Sequence, residues 1–430
     1  ILGACTTDSD KVEPPVSTAG CLVEGTNNLE LNITADLCEL EAGTYNLLGV
    51  TFVKFGSTLK LHPGVTIKGK TDGSLTALVV EKGGIMHAVG TPSNPIVFTA
   101  GTSVPQRGDF GGVVLLGRSQ VNTPSGTADI EGLVGVPFGG GGSSTRITND
   151  SSGHLQYVRI EYAGSVLGAD NELNGLTWGG VGSRTVSSHI HQYEGLDDCF
   201  EWFGGTNSAK YLVASGCDDD IFDYDLGWQG TLQYLVGYHI GITNTDANGI
   251  EADGRNGAEE SLPRTFAHIA NMTLIGNGTS SWNGMRLRRG VGSQIYNSIV
   301  TGFGTGTPSG VAVRVDGNTS IRLVNNDSLK AYGLAAWGNG GRVNVSPAAG
   351  LVDSVNTRNA AIAKIGTWFV SDTAGVTVTR TNPKPSRAIA GAVTLPTGKG
   401  FDAVQYIGAF DPAASSLWIN DGIWVRKTNW

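Results

Sequence analysis

Leu176-Thr177-Trp178, Phe200-Glu201-Trp202, Phe222-Asp223-Tyr224, Ile250-Glu251-Ala252, Met285-Arg286-Leu287 and Val311-Ala312-Val313 open six successive units of the chain, their first residues 24, 22, 28, 35 and 26 positions apart. A second strand-like run follows in the first five: His189-Ile190-His191, Tyr211-Leu212-Val213, Leu232–Leu235, Met272–Ile275 and Ile295–Ile299, with glycine-rich turns between. A unit of this size cannot bury its apolar face alone. Stacked on its neighbours at about 4.8 Å per turn, it can. The repeat therefore predicts an all-β chain folded as a single-stranded right-handed parallel β-helix, a β-solenoid.

Side chains alternate along a strand, so Phe200 and Trp202, Phe222 and Tyr224, Ile250 and Ala252, Met285 and Leu287 point inward. Two outward columns remain. One reads Thr177, Glu201, Asp223, Glu251, Arg286, Ala312, and the other Gly179, Phe203, Asp225, Asp253, Arg288, Arg314.

Composition agrees with this frame. Of 430 residues 64 are glycine, about twice the usual share, and 16% are charged. Lys and Arg total 29 against 38 Asp and Glu, a formal charge of -9, so no basic face attracts phosphate backbones and nucleic acid is not an expected partner. No apolar run approaches the ~18 residues that span a membrane. The division expected is an N-terminal secretion or tether arm and cap over 1–44, the solenoid over 45–400, and a C-terminal strand or cap over 401–430.

The chain opens Ile1-Leu2-Gly3-Ala4-Cys5, which resembles the end of a bacterial lipoprotein signal and its acylated cysteine. That resemblance implies a lipid anchor at Cys5 as the one contact with a membrane; cleavage before Ile1 is the rival, and both place the protein outside the cell, secreted or at the surface. Four more cysteines pair in sequence, Cys21 with Cys38 and Cys199 with Cys217, as disulfides of an oxidising compartment would. Each loop would stabilise by roughly 3 kcal/mol.

Leu59–Gly69 (LKLHPGVTIKG), Gly90–Ala100 (GTPSNPIVFTA), Gly111–Gly117 (GGVVLLG), Asp197–Thr206 (DDCFEWFGGT) and Tyr406–Phe410 (YIGAF) resemble a group of uncharacterised bacterial surface β-helix proteins of pectate-lyase-like fold. The resemblance covers most of residues 45–430 and implies the fold, with no reaction attached.

The chemistry must come from the residues. Asp197, Asp198, Asp219, Asp220, Asp223 and Asp225 crowd one edge of the outward columns. Like charges about 5 Å apart repel by roughly 0.8 kcal/mol in water and several times more near a protein surface, so a counter-ion is expected. Ca²⁺, which takes six to eight oxygen ligands without strict geometry, fits best. The alternative is an enzyme or binder acting on extracellular polysaccharide through Asp223, Glu251, Asp253, Arg286 and Arg288, with an arginine as base in a lyase or a carboxylate pair in a hydrolase. Asn244-Thr245-Asp246 and Asp197-Asp198 are similar to the two catalytic motifs of polygalacturonases but stand in the reverse order, and no Gly-His-Gly or Arg-Ile-Lys follows; their roles do not carry over. His189 and His191 share a face without a third ligand at fixed spacing, and Trp178 and Trp202 fall at core positions. With no ordered acid/base set, the favoured expectation is a structural or adhesive surface protein, calcium-stabilised and assembling with copies of itself. The strand-like Ser416–Val425 is the expected template for the next subunit.

Overall fold

A computed structural model describes residues 19–430 apart from 71–73, 131, 169–170, 245, 279–281, 307–309, 348–353 and 429. Cys5 and residues 6–18 of the tether lie outside the described residues.

The chain is a right-handed parallel β-helix. Among the described residues, eleven strands form a front sheet in which each pairs in parallel with the strand one coil away, running from Asn32–Ile33 through Leu176–Gly179, Phe200–Phe203, Phe222–Asp225, Ile250–Asp253 and Met285–Arg288 to Val343–Ser346. A second, wrapped sheet makes the other walls. Its long strands bend at one stacked position, where Tyr157, His189, Tyr211, Tyr234, Asn271 and Asn297 all take left-handed backbone with φ between 47° and 63°. Each such residue costs about 1–2 kcal/mol, and stacking returns part of it: the rings of Tyr157, His189, Tyr211 and Tyr234 follow one another at 4.5, 4.4 and 4.6 Å.

The inward residues are those the alternation predicts. Trp178 lies flat on Trp202 at 4.6 Å, Phe200 on Phe222 at 5.6 Å, and all are buried with Ile250, Met285 and Leu287 in one continuous core. Both disulfides form. Cys199–Cys217 joins the turn that enters one front strand to the turn that enters the next.

Three expectations are corrected. The last unit does not open at Val311. Val311 stands in the turn, where its carbonyl accepts the Gly284 N–H, so the strand begins two residues later as Val313–Asp316, with Arg314, not Ala312, beside Arg286. The run Ile295–Ile299 does not align with Met272–Ile275. Ile295 pairs with Ile269, while Ile299–Thr301 continues Thr273–Ile275.

The third concerns Ser416–Val425, which forms no strand. From Val370 the chain becomes a strap of turns and one three-residue 3₁₀ turn, Trp418–Asn420. It runs along the wrapped sheet against the direction of solenoid growth. Asn297 Nδ2 donates to the Val393 carbonyl at 2.8 Å, Asn271 Nδ2 to Tyr406 at 2.9 Å, and the Ile423 N–H to Pro92 at 2.8 Å. Trp424 is fully buried, its edge on Tyr157 and His189. The aromatic segment offered by the sequence as a template for another chain is spent on this one. At the C-terminal end of the solenoid, helices α1 (Asn318–Asn325) and α2 (Ser354–Gly366) pack on each other and on the last front strands. Among the described residues no helix is long and apolar enough to cross a membrane.

Candidate functional site

The outer face of the front sheet changes character along its length. Phe52, Val79, Val114, Thr177, Glu201, Asp223, Glu251, Arg286 and Arg314 stack in one register. Over the early coils this column is apolar and lies under an excursion of residues 118–138. Val121, Ile130 and Phe138 of that excursion bury Val79, Val114, Leu116 and Phe203. Phe138 comes so close that a Cβ at position 179 would sit 2.8 Å from its ring; glycine there is a packing requirement.

The apolar cover reaches Phe203 and Leu226 at one end of these strands, while from Glu201 onward the column itself is acidic. The turns entering the front strands carry a side-chain ladder absent from the sequence reading. Asn174, Asp198, Asp220, Asn248 and Asn283 each stand two residues before a front strand. The Asp220 N–H donates to Asp198 Oδ1 at 2.8 Å, Asn248 Nδ2 to Asp220 Oδ1 at 3.0 Å, and Asn283 Nδ2 to Asn248 Oδ1 at 2.9 Å. The signal was present as Asn or Asp at a constant offset ahead of each triplet, but a period of 22–35 residues hides it from local pattern rules.

The expected aspartates therefore divide by role. Asp198 and Asp220 are rungs, buried in the turn stack. Asp223 and Asp225 are half-buried on the strand, and Asp197 and Asp219 flank the rungs. Carboxylate oxygens come within 4.8 Å of one another in three linked triads, Asp197–Asp198–Asp219, Asp198–Glu201–Asp223 and Asp220–Asp223–Glu251; Asp225 belongs to none. Glu201, unclaimed as a ligand by the sequence reading, joins the middle triad and accepts Asn174 Nδ2.

The arginine end is fully engaged. Arg286 Nη1 meets Asp246 at 2.6 Å and Glu251 at 3.2 Å, and its Nε meets Asp316 at 3.3 Å. Arg288 holds Asp253 at 2.6 Å and also Glu251; Arg289 holds Asp253, and Arg314 holds Asp316. Asp246 was invisible as a partner because a loop brings it in, and Asp316 because the last front strand begins at Val313, which makes Asp316 its final residue.

Burial dominates the electrostatics. It pushes Asp253 up to about 7 against the pull of Arg289 and Arg286. Asp219 is raised to about 6 by burial and then by the Asp246 and Asp218 charges. Asp198, Asp220 and Asp223 are held well above the usual carboxylate range, first by burial and then by neighbouring carboxylates. The trough thus sets acids raised by burial and by one another, Asp219 and Asp223 among them, beside acids gripped by arginine, Glu251 and Asp253, and an uneven set of this kind can divide general acids from bases.

His189 and His191 do share a face, but the strap takes it. His189 is lowered to about 4 by burial in its ring stack, and His191 is buried with Ser215 Oγ at 2.9 Å and the Arg426 N–H on its Nδ1. Among the described residues neither joins a group of three metal-capable side chains.

A family model described as a pectate-lyase like beta helix domain matches residues 31–367. The chain belongs to that family. No curated protein matches this pectate-lyase-like chain. Among solved structures, the catalytic domain of a GH87 alpha-1,3-glucanase in complex with tetrasaccharides is similar at 14% identity and a TM-score of 0.28, over 75% of this chain and 63% of that one.

Proposed function

We propose that this protein acts outside the cell on a polysaccharide laid along the acidic trough, with Asp223 and Asp219 as the proton-holding carboxyls and Glu251, which shares Arg288 with Asp253, as the carboxylate facing the glycan. The observation that carries this reading is the raised, recessed carboxyl set on successive coils at the place where the column of the front sheet turns acidic. Buried carboxyls of differing pKa in a concavity are the usual signature of acid/base chemistry, and carboxyl pairs this close work on glycosidic bonds. Family membership supports this reading over a purely structural or adhesive role.

The test is a panel of polysaccharides assayed for binding and for release of reducing or unsaturated ends. Asp219→Asn and Asp223→Asn are expected to lower product release at least 100-fold while the folded state persists. No binding and no release from any glycan of the panel would overturn the reading.

A second cation role is supported by the triads. The Asp198–Glu201–Asp223 oxygens, with Asp197, Asp219 and Asp220 adjoining, form an all-oxygen donor set suited to Ca²⁺, which would screen their repulsion. Melting with millimolar Ca²⁺ against EDTA tests it: a rise of several degrees is expected, and an unchanged melting temperature with no heat of binding would refute it.

A further inference from the structure

The trough is short of positive charge and of free donors, and that shortage decides which glycan it can hold. On the coils from Leu176 to Asp225, the outward positions are Thr177, Glu201, Asp223, Gly179, Phe203 and Asp225, with no lysine or arginine among them. The arginines that follow are each already paired with a carboxylate. Two buried acceptors have no donor. Asn174 is 3% exposed and gives its Nδ2 to Glu201, while its Oδ1 is unpartnered. Asp223 Oδ1 is also buried and unpartnered, in the same triad region. An orphaned buried acceptor costs about 1–3 kcal/mol, and Glu201 links the two, accepting from Asn174 Nδ2 and standing in one carboxylate triad with Asp223.

We propose that the glycan of this trough is cationic: an amino-sugar polymer with free ammonium groups, taken in preference to N-acetylated, neutral or uronate polymers. The inference rests on the polysaccharide reading above. An ammonium carries three donors and one positive charge, which matches a wall of acceptors stacked at about 4.8 Å per coil. A uronate brings another carboxylate into a row of carboxylates, where each like pair costs roughly 1 kcal/mol in water and several times more in a recess, and no uncommitted arginine receives it.

Calorimetry in EDTA, so that no divalent cation competes, tests this with four probes of equal length: glucosamine, N-acetylglucosamine, glucose and galacturonate oligomers. The glucosamine oligomer is expected to bind at least tenfold tighter than its acetylated form, with affinity falling as salt is added and galacturonate showing no binding. Asp223→Asn should weaken the amine at least threefold, while Asp36→Asn, the same charge change on an exposed turn at the far end, leaves it unchanged. If both substitutions weaken binding equally, the attraction is to net charge and the proposal fails. If neutral, acetylated or uronate oligomers bind as well as the amine, the cationic preference fails and the glycan reading stands. If none of the four binds and the wider panel is silent too, both fall.

Discussion

Val114 and Asp223 occupy the same column of the same sheet, three coils apart, above equally apolar interiors. Around Val114 the chain supplies a loop of its own that removes water from the outer face. Around Asp223 no such apolar cover is seen among the described residues, and the face carries carboxylates met by asparagines of the turns and by arginines. The inner face must repeat because each coil rests on the last. The outer face is free, so one scaffold holds a second small core and a polar trough within a few strands.

The largest effect expected is from moving the character of one region into the other. Val114→Asp places a carboxylate beneath Phe138 and Ile130 with no partner, and a loss of roughly 4 kcal/mol or failure to fold is expected in denaturant unfolding; stability equal to the parent would show that the lid opens freely. Next is Arg288→Ala, which removes the cation shared by Glu251 and Asp253 and leaves them with Arg286 and Arg289 respectively. A loss of about 2–3 kcal/mol is expected, and a loss as small as that of an exposed pair would mean the arginine end is more open than its geometry implies.

The pH response comes third. Asp253 has its folded value raised to about 7, so the folded state binds the proton more tightly than the unfolded chain. Its stabilisation is complete below the ordinary carboxylate value near 3.8 and is lost as pH rises through about 7. Melting temperature should therefore climb as pH falls from about 8 towards 5, and Asp253→Asn should flatten part of that slope, on the order of 1 kcal/mol. An unaltered slope would assign the pH response elsewhere. The smallest effect belongs to the ladder: Asp198→Asn with Asp220→Asn keeps its shape, and stability within about 1 kcal/mol of the parent at pH 7 is expected. A collapse of the fold would show that the rungs need their acid protons.

The solenoid, its inward register and both disulfides were legible because they follow from local alternation and pairwise cysteine spacing. The acidic column was legible for the same reason, since Glu201, Asp223 and Glu251 each sit between two apolar residues. What failed were features without local periodicity. Val311-Ala312-Val313 looks like a triplet, and only the turn hydrogen bond to Gly284 shows that Val311 is a rung position. Ser416–Val425 has strand composition, yet Trp418 and Trp424 are placed by rings of residues some two hundred positions earlier. The split of the aspartates into rungs and column residues likewise depends on which coil lies below.

The strap changes how the molecule comes apart. A stack whose units touch only their neighbours can fray from either end, one coil at a time. Here residues 393–428 are hydrogen-bonded or packed onto coils from Asn297 back to Pro92, so loss of a middle coil also strips its share of the strap. That couples distant coils into one cooperative unit. It also sets an order in time: the flank of the coils from Pro92 to Asn297 stays bare until residues 393–428 have been made and folded back along it.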